Sequence, residues 1–367
     1  MIDTVDVFYE FSSYTYYRAC YQAVDKIARE KGGQALHKDG EKYQTTALAN
    51  LGVLNIKLFR GKCRYCCYMF LQPARLIYPG SHLRLAIPDD FPEILRRLNE
   101  IIADINRLAS FQVLPSIEEW RVSRIDYAFD IETPYVAEYL RLFKAGFVPA
   151  GFSGPKPYES SYYLTSTNGN INFYNKLLQV KEKYGLSDED IIKELNYLPE
   201  GVLRLEFQCH NRWLQHLKKS CSLFDTTFLF LFNPKLACKE LKSRVASIIG
   251  KAPFFPYDVA VNILSSNYKN RTMGQCCQIM SLLKDFPKAT LDTARTIVAP
   301  NRKNDFAQLI HKIRKVGINP IPVEVARRDL YDGQRLSCLP NPYDMIYCAQ
   351  SLDSMMASMR GSDCISS

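Results

Sequence analysis

The stretch Val122-Ser123-Arg124-Ile125-Asp126-Tyr127-Ala128-Phe129-Asp130-Ile131 decides the fold, because apolar and polar side chains alternate along most of its length. In an extended chain, successive side chains point to opposite faces, so a period of two is the pattern of a strand with one buried face. Asp126 and Asp130 then share the polar face. The stretch therefore predicts a half-buried β-strand that presents two carboxylates.

The same alternation returns in residues 202–208, where Arg204 and Glu206 fall on the polar face. Between the two strands lies Asn172-Phe173-Tyr174-Asn175-Lys176, which follows the dipeptide Asn168-Gly169. Asn-Gly is the strongest short signal of a hairpin turn, so an extended segment is expected after it. The chain thus predicts three strands, one of which carries a tyrosine and a lysine two residues apart.

If these strands pair in one sheet, four side chains converge on one surface: Asp126, Tyr174, Lys176 and Glu206. Carboxylate oxygens suit Mg²⁺ or Mn²⁺, which leave coordination positions for water and phosphate oxygens. A tyrosine hydroxyl, with an ordinary pKa of about 10, is a weak nucleophile unless a cation stabilises its phenolate, and Lys176 is placed to help. Attack on a phosphodiester would leave a phosphotyrosine ester, which preserves the bond for later rejoining.

A plain structural interpretation stays open for each of these residues. Tyr174 is one of 23 tyrosines, and a tyrosine beside a turn is often an ordinary edge-strand residue. The carboxylates of Asp126 and Glu206 could equally be solvated, or paired with Arg124 and Arg204.

The remaining elements complete a mixed architecture. Residues 5–11 alternate as a strand, residues 53–59 and 65–71 are typical of a hairpin, and apolar residues at helical spacing predict a helix from Phe91 to Leu108. After residue 211 helices predominate. The order predicts an α+β protein: an antiparallel-sheet nuclease domain with helices on one face over residues 1–210, a helical basic domain over 211–345, and a mobile tail over 346–367.

Charge is concentrated in the C-terminal third. Residues 208–330 contain 20 lysines and arginines against eight aspartates and glutamates, a net charge of +12, whereas the whole chain carries +9. Such asymmetry is typical of a module that binds a polyanion, although a merely soluble basic face has the same composition. The candidate DNA contacts are Lys312, Arg314 and Lys315 in this region, with Arg124 and Arg204 beside the carboxylates.

The cysteine content and the lengths of the apolar runs indicate the cellular compartment. The 12 cysteines are spread over a long chain, and the tight group Cys63, Cys66 and Cys67 has no second pair with which to complete a zinc site. The apolar runs are too short to span a bilayer. These features favour a reducing cytoplasm and no membrane partner.

At these residues the chain resembles the gene II family of filamentous bacteriophage replication initiators, to which rolling-circle plasmid initiators are related. The resemblance covers roughly residues 50–325 and is carried by four segments: Ser123-Arg124-Ile125-Asp126, Tyr174-Asn175-Lys176, Leu203-Arg204-Leu205-Glu206 and Leu223-Phe224-Asp225. Further similar segments are Gln72-Pro73-Ala74-Arg75-Leu76 with Gly80, and residues 302–317 with Ile318-Asn319-Pro320.

The resemblance implies that Tyr174 is the nucleophile, Lys176 its accompanying lysine, and Asp126 and Glu206 the carboxylates that bind Mg²⁺ or Mn²⁺. The protein would nick the plus strand of double-stranded phage or plasmid origin DNA, leave a 3′ hydroxyl for the polymerase, and later seal the displaced single strand. Host helicase, polymerase and single-strand-binding protein would be its partners in the cytoplasm of a bacterial host.

One position departs from the family pattern. Members often carry glutamate three residues after the lysine, whereas this chain has Gln179, which leaves the metal with two carboxylates or with Asp130 or Glu182 as a substitute third ligand. Two other functions stay open: a non-catalytic origin-binding regulator that uses only the basic helices, and a metal-dependent nuclease in which water attacks.

Overall fold

The structure is a computed structural model that describes residues 1–31, 35–39, 42–156, 158–220, 225–300, 303–324, 331–332, 335–336 and 338–347. Its centre is one antiparallel sheet of nine strands: β1 (Ile2–Glu10), β2 (Ala35–Asp39), β3 (Lys42–Thr45), β4 (Val53–Arg60), β5 (Tyr65–Leu71), β6 (Arg121–Glu132), β7 (Ser161–Thr165), β8 (Gly169–Asn175) and β9 (Val202–His210). Their spatial order is β2-β3-β4-β5-β1-β6-β9-β8-β7. A separate short hairpin pairs β10 (Tyr331–Asp332) with β11 (Arg335–Leu336).

Helices lie between the strands of the sheet along the chain and follow the last of them. They are α1 (Tyr14–Glu30), α2 (Pro73–Ile77), α3 (Phe91–Ala109), α4 (Val136–Ala145), α5 (Lys176–Tyr184), α6 (Asp188–Leu195), α7 (Asn211–Ser220), α8 (Phe228–Leu231), α9 (Pro234–Ile249), α10 (Tyr257–Asn267), α11 (Asn270–Asp285), α12 (Leu291–Val298), α13 (Lys303–Lys315) and α14 (Pro342–Met345). The predicted α+β class is confirmed.

Several elements follow directly from local sequence. The predicted hairpin is β4–β5, where Arg60 pairs with Tyr65, and the Asn-Gly turn precedes β8, which pairs with β7. Helix α3 buries one face and contains Pro92 in its first turn, where proline lacks only a hydrogen bond that the helix start would leave unmade. Ser187 caps α6 through a reciprocal capping box with Asp190.

Helix α1 lies in a region whose sequence pattern predicts mainly strands. Its sequence begins with the run Tyr14-Thr15-Tyr16-Tyr17, residue types that favour strands. Its buried residues include Tyr17, Cys20, Val24 and Ile27, which have helical spacing. Packing of this face overrides the local propensity.

The main hydrophobic core lies against one face of the sheet and is continuous with the C-terminal helices. Val5, Ile125 and Phe207 from the sheet belong to the same buried cluster as Leu241 of α9 and Ile313 of α13. Residues 1–210 and the helices after residue 211 therefore share core packing.

A second, smaller cluster lies on the opposite face. Val202 of β9 shares the side of Arg204 and Glu206, and it packs with Leu177 of α5 and Ile191 of α6. The expectation of helices on one face is therefore wrong at this end of the sheet, because α5 and α6 cover the polar face there. The wider consequence is that polar residues beneath them are buried.

No helix in the described parts of the chain combines the length and apolarity needed to cross a bilayer. Leu223, Phe224, Arg302 and the segment 348–367, which includes most of the predicted tail, lie outside the described residues.

Candidate functional site

The candidate site lies on the polar face of the sheet, where β6, β9 and β8 are neighbours. The register places Asp126 opposite Gln208, and Glu206 opposite Asn172. Residues paired across antiparallel strands share a face, so β9 brings its carboxylate between the other two strands. The predicted pairing of these three strands in one sheet is confirmed.

Tyr174 and Glu206 are in direct contact. The Tyr174 hydroxyl donates a hydrogen bond to Oε2 of Glu206 over 3.1 Å, and each residue is only 5% exposed. Burial, followed by the nearby Glu206, raises the pKa of Tyr174 well above its usual range. The phenol is therefore held as a neutral hydrogen-bond donor in this arrangement.

Glu206 is the carboxyl group at the centre of the site. Nε2 of Gln208 donates to its Oε1 over 2.7 Å. Burial, followed by the negative charges of Asp3 and Asp126, raises the pKa of Glu206 to about 8. The ionised form is thus destabilised mainly by loss of solvation and then by neighbouring negative charge, effects that a bound cation would offset.

Asp126 is buried and paired with the arginine two residues before it. Nε and Nη2 of Arg124 donate to its two carboxylate oxygens over 2.9 and 2.6 Å, and the Thr4 hydroxyl donates to Oδ2. Burial raises the pKa of Asp126 despite this pairing. The alternative that Asp126 pairs with Arg124 is therefore confirmed, while Arg124 keeps a partly exposed side chain.

Arg204 has a structural position. It is fully buried, its Nε and Nη2 donate to both oxygens of Asp130 over 2.7 Å each, and Nη1 donates to Asp3 over 2.8 Å. Nη2 also donates to the backbone oxygen of Leu83. A guanidinium group enclosed in this way cannot reach a DNA phosphate, so the expected DNA contact is wrong. Asp130 is likewise engaged by Arg204 and not by the Tyr174–Glu206 pair.

Lys176 lies just beyond the strand that carries Tyr174. It is the first residue of α5, so the expectation that it shares a strand face with Tyr174 is wrong. Its Nζ donates to Oε1 of Gln179 over 3.0 Å. Burial, followed by the positive charge of Arg204, lowers the pKa of Lys176 to about 8. Gln179 thus has a defined contact, which is with Lys176.

An open cleft of about 500 Å³ gives access to Tyr174. Its walls include polar and aromatic residues that the sequence analysis did not select: Tyr158, Tyr163, Asn172, Asn175, Lys183 and Gln208. Asn172 lies two residues before Tyr174 on β8, and Gln208 lies two residues after Glu206 on β9. The period of two that places Tyr174 and Glu206 on the polar face therefore also predicts that Asn172 and Gln208 lie there. Glu182 lines the cleft, as does Gln179.

The donor set fits a hard divalent cation held together with a substrate. The described residues include no group of three or more His, Cys, Asp or Glu side chains able to enclose a metal ion. Asp126 and Glu206 provide two carboxylates, and Mg²⁺ is commonly bound by one or two, with waters and phosphate oxygens in the other positions. Glu206 is the stronger candidate, because no described lysine or arginine forms a salt bridge with it, whereas Asp126 is paired with Arg124.

The remaining DNA-binding candidates lie on α13. Lys315 is exposed, Lys312 is partly buried, and Arg314 is partly buried with its guanidinium group against Gly250. Burial lowers the pKa of Arg314, and its Nε has no hydrogen-bond partner among the described residues.

Comparisons of the chain with protein-family models, with curated proteins and with solved structures found no match.

Proposed function

We propose that the protein is a rolling-circle DNA replication initiator. It nicks the plus strand of a phage or plasmid origin through Tyr174 and later rejoins the displaced strand. The observation that carries the proposal is the hydrogen bond between Tyr174 and Glu206 at the wall of an open cleft, on the sheet face that also carries Asp126. In this proposal residues 1–210 form the nuclease part and the basic helices of residues 211–345 bind origin DNA.

The covalent step follows from the position of the Tyr174 hydroxyl. Its oxygen attacks the scissile phosphorus, and the bond from phosphorus to the 3′ oxygen breaks. The DNA 5′ end is then linked to the tyrosine, and the departing 3′ oxygen takes a proton from solvent to become a hydroxyl. Oε2 of Glu206 already accepts a hydrogen bond from the Tyr174 hydroxyl, so ionised Glu206 is positioned to receive the phenol proton as the oxygen attacks.

Electrostatic support for the step comes from the surrounding side chains. Mg²⁺ or Mn²⁺ bound through Glu206 and Asp126 would supply positive charge to the phosphate and favour ionised Glu206. Lys176, whose pKa is about 8, contributes a mostly cationic ammonium group near the site at neutral pH. Arg124 and Thr4 keep Asp126 oriented.

The direct test is to trap the covalent adduct. The protein is incubated with Mg²⁺ and supercoiled DNA that carries the origin of its own replicon, and the products are separated under denaturing conditions. We expect nicked circles with protein on the 5′ end. Tyr174→Phe should abolish the adduct, whereas Tyr163→Phe, which alters another tyrosine of the same cleft, should retain it.

Two outcomes of this experiment would replace the proposal. Nicked DNA without attached protein, unaffected by Tyr174→Phe, would identify a metal-dependent hydrolytic nuclease. Tight origin binding with unchanged supercoiled DNA in either metal would identify a non-catalytic regulator. The proposal also implies activity in the bacterial cytoplasm, where host helicase, polymerase and single-strand-binding protein act on the nicked origin.

A further inference from the structure

Four aromatic side chains lie on the polar face of the sheet, in the half that is distant from Tyr174. They are Phe8 of β1, Phe59 of β4, and Tyr68 and Phe70 of β5, and all are partly exposed. Among the described residues, neither hydrophobic cluster contains them or has them packed against it. Their strand neighbours on the other face, such as Val7 and Met69, are fully buried in the main core.

Two of these rings form the centre of an ordered row. Phe8 is directly opposite Tyr68, and their ring centroids are 5.7 Å apart with an angle of 27° between the planes. Lys57 of β4 is opposite Tyr68, and Arg121 of β6 is opposite Phe8. The aromatic row, Lys57-Tyr68-Phe8-Arg121, therefore crosses four neighbouring strands with a basic residue at each end.

The charge around the aromatic row is mainly positive. Lys57 and Arg121 form no salt bridge with any described residue, and Arg121 is exposed. Arg64 lies 5.8 Å from the centre of the Phe8 ring and pairs with Glu10 over 3.2 Å. The next row of the same face contains Asp6, whose pKa is raised to about 6 by burial and then by Asp126, against the lowering effect of Arg124.

An open face of an antiparallel sheet is usually polar, because its side chains meet water. Partly exposed rings flanked by cations are instead the arrangement by which sheets bind single-stranded nucleic acids: bases stack on the rings and cations contact phosphates. In a duplex the base faces are already stacked on one another, so such rings favour single strands.

We infer that the aromatic row binds single-stranded DNA, with bases stacked on Phe8 and Tyr68 and phosphates contacted by Lys57 and Arg121. The inference rests on the proposed function for the identity of the polymer as DNA. It adds a binding surface separate from the nicking residues and from the basic C-terminal helices.

The aromatic row and the nicking site are connected along one sheet face. Arg121 is aligned with Phe8, while Asp130, nine positions further along β6, is aligned with Arg204 and through it with Tyr174. With a rise of about 3.3 Å per residue and a strand spacing of about 4.8 Å, Phe8 and Tyr174 lie about 30 Å apart along the strands and about 15 Å apart across them. A strand of several nucleotides spans this distance, so the aromatic row can hold DNA beside the cleavage site.

The test measures binding without cleavage. Fluorescence anisotropy with a labelled 20-nucleotide deoxythymidine oligomer is recorded in EDTA for the full chain. Tyr68→Leu and Phe8→Leu, which keep apolar bulk but remove the ring, are each expected to weaken binding about 10-fold. Tyr68→Phe should bind like the wild type, because the stacking ring is retained. Lys57→Ala should reduce the salt dependence by about one phosphate contact, a slope change of about 0.7.

A matched control is Phe111→Leu, since Phe111 is 44% exposed but follows α3, outside the sheet and outside the basic C-terminal helices. Its binding should be unchanged. Unaltered affinity in Tyr68→Leu and Phe8→Leu proteins that retain the wild-type thermal unfolding midpoint would overturn the inference, and so would equal competition by duplex DNA. Binding that depends on the rings, without nicking of any origin, would exclude the proposed function but support the single-strand-binding surface. Nicking together with binding that does not depend on the rings would support the proposed function and exclude the surface.

Discussion

The Tyr174 hydroxyl lies 3.1 Å from Oε2 of Glu206, although the residue directly opposite Tyr174 in the strand register is Arg204. The contact is therefore diagonal across β8 and β9. It is possible because the Arg204 side chain turns toward Asp130 and Asp3 and leaves the space beside Glu206 to the phenol. The ion pair of buried Arg204 with Asp130 thus leaves the Tyr174 phenol in contact with Glu206.

Replacing Glu206 with glutamine separates the proposed metal-binding role of this residue from its packing role. With its pKa raised to about 8, Glu206 resembles a neutral amide at pH 7 in the metal-free protein, so Glu206→Gln should leave the unfolding midpoint unchanged or slightly higher. Mg²⁺ should raise the midpoint of the wild type and not that of the variant, because a ligand that binds the native state stabilises it. Differential scanning fluorimetry with and without Mg²⁺ measures both effects.

Glu200→Gln is the control for this experiment, since Glu200 is an exposed carboxylate that precedes β9 and does not line the cleft. Its response to Mg²⁺ should equal that of the wild type. A full Mg²⁺ response in Glu206→Gln would exclude Glu206 as a metal ligand.

Arg204 should act on stability and not on DNA affinity. Arg204→Met leaves Asp130 and Asp3 without their buried partner, and breaking such a pair is expected to reduce the free energy of unfolding by about 3–5 kcal/mol. Urea denaturation of the wild type and the variant measures this difference in the free energy of unfolding. Arg212→Ala, which removes an exposed arginine at the start of α7, should change that free energy by less than about 0.5 kcal/mol.

Salt titrations of DNA binding provide the complementary measurement for Arg204. The folded fraction of Arg204→Met should keep the wild-type salt dependence, because a fully buried guanidinium group contacts no phosphate. A shallower salt dependence of DNA binding in the variant would show that Arg204 contacts a DNA phosphate after all.

The sequence alone predicts which side chains share a face, and this was sufficient to bring Tyr174 and Glu206 together. It does not predict what covers that face. Helices α5 and α6 bury the end of the polar surface, and the partner Asp3 lies 201 residues from Arg204, so local alternation contains no sign of the ion pair. Lys176 was misplaced for a related reason: Asn175 caps α5 through Leu178, and the strand therefore ends one residue earlier.

The pH dependence of stability should reveal the buried Lys176. Its folded-state pKa of about 8 lies below the ordinary value of 10.5, so the native state binds the proton less well than the unfolded state. The resulting penalty is fully present below pH 8 and is relieved as the pH rises toward 10.5. Lys176→Met should therefore stabilise the protein at pH 7 by up to about 3 kcal/mol, and by much less at pH 10.

Denaturation of the two proteins at both pH values gives this comparison. Lys181→Met, which replaces a half-exposed lysine of the same helix, should show no such pH-dependent gain. An equal gain from Lys176→Met at pH 7 and pH 10 would mean that Lys176 stays protonated in the folded protein across this range.

Replacing Gln179 with glutamate tests whether position 179 acts on Lys176 or on a bound metal ion. Lys176 donates to Gln179 over 3.0 Å, so Gln179→Glu would convert a neutral contact into an ion pair and raise the pKa of Lys176. If nicking needs the ammonium form, the variant should remain active to a higher pH than the wild type, with an unchanged Mg²⁺ requirement. Initial nicking rates between pH 7 and pH 10, at several Mg²⁺ concentrations, measure the two properties separately. A lower Mg²⁺ requirement with an unmoved pH limit would instead assign position 179 to the metal, since a third carboxylate would then bind the ion and not the lysine.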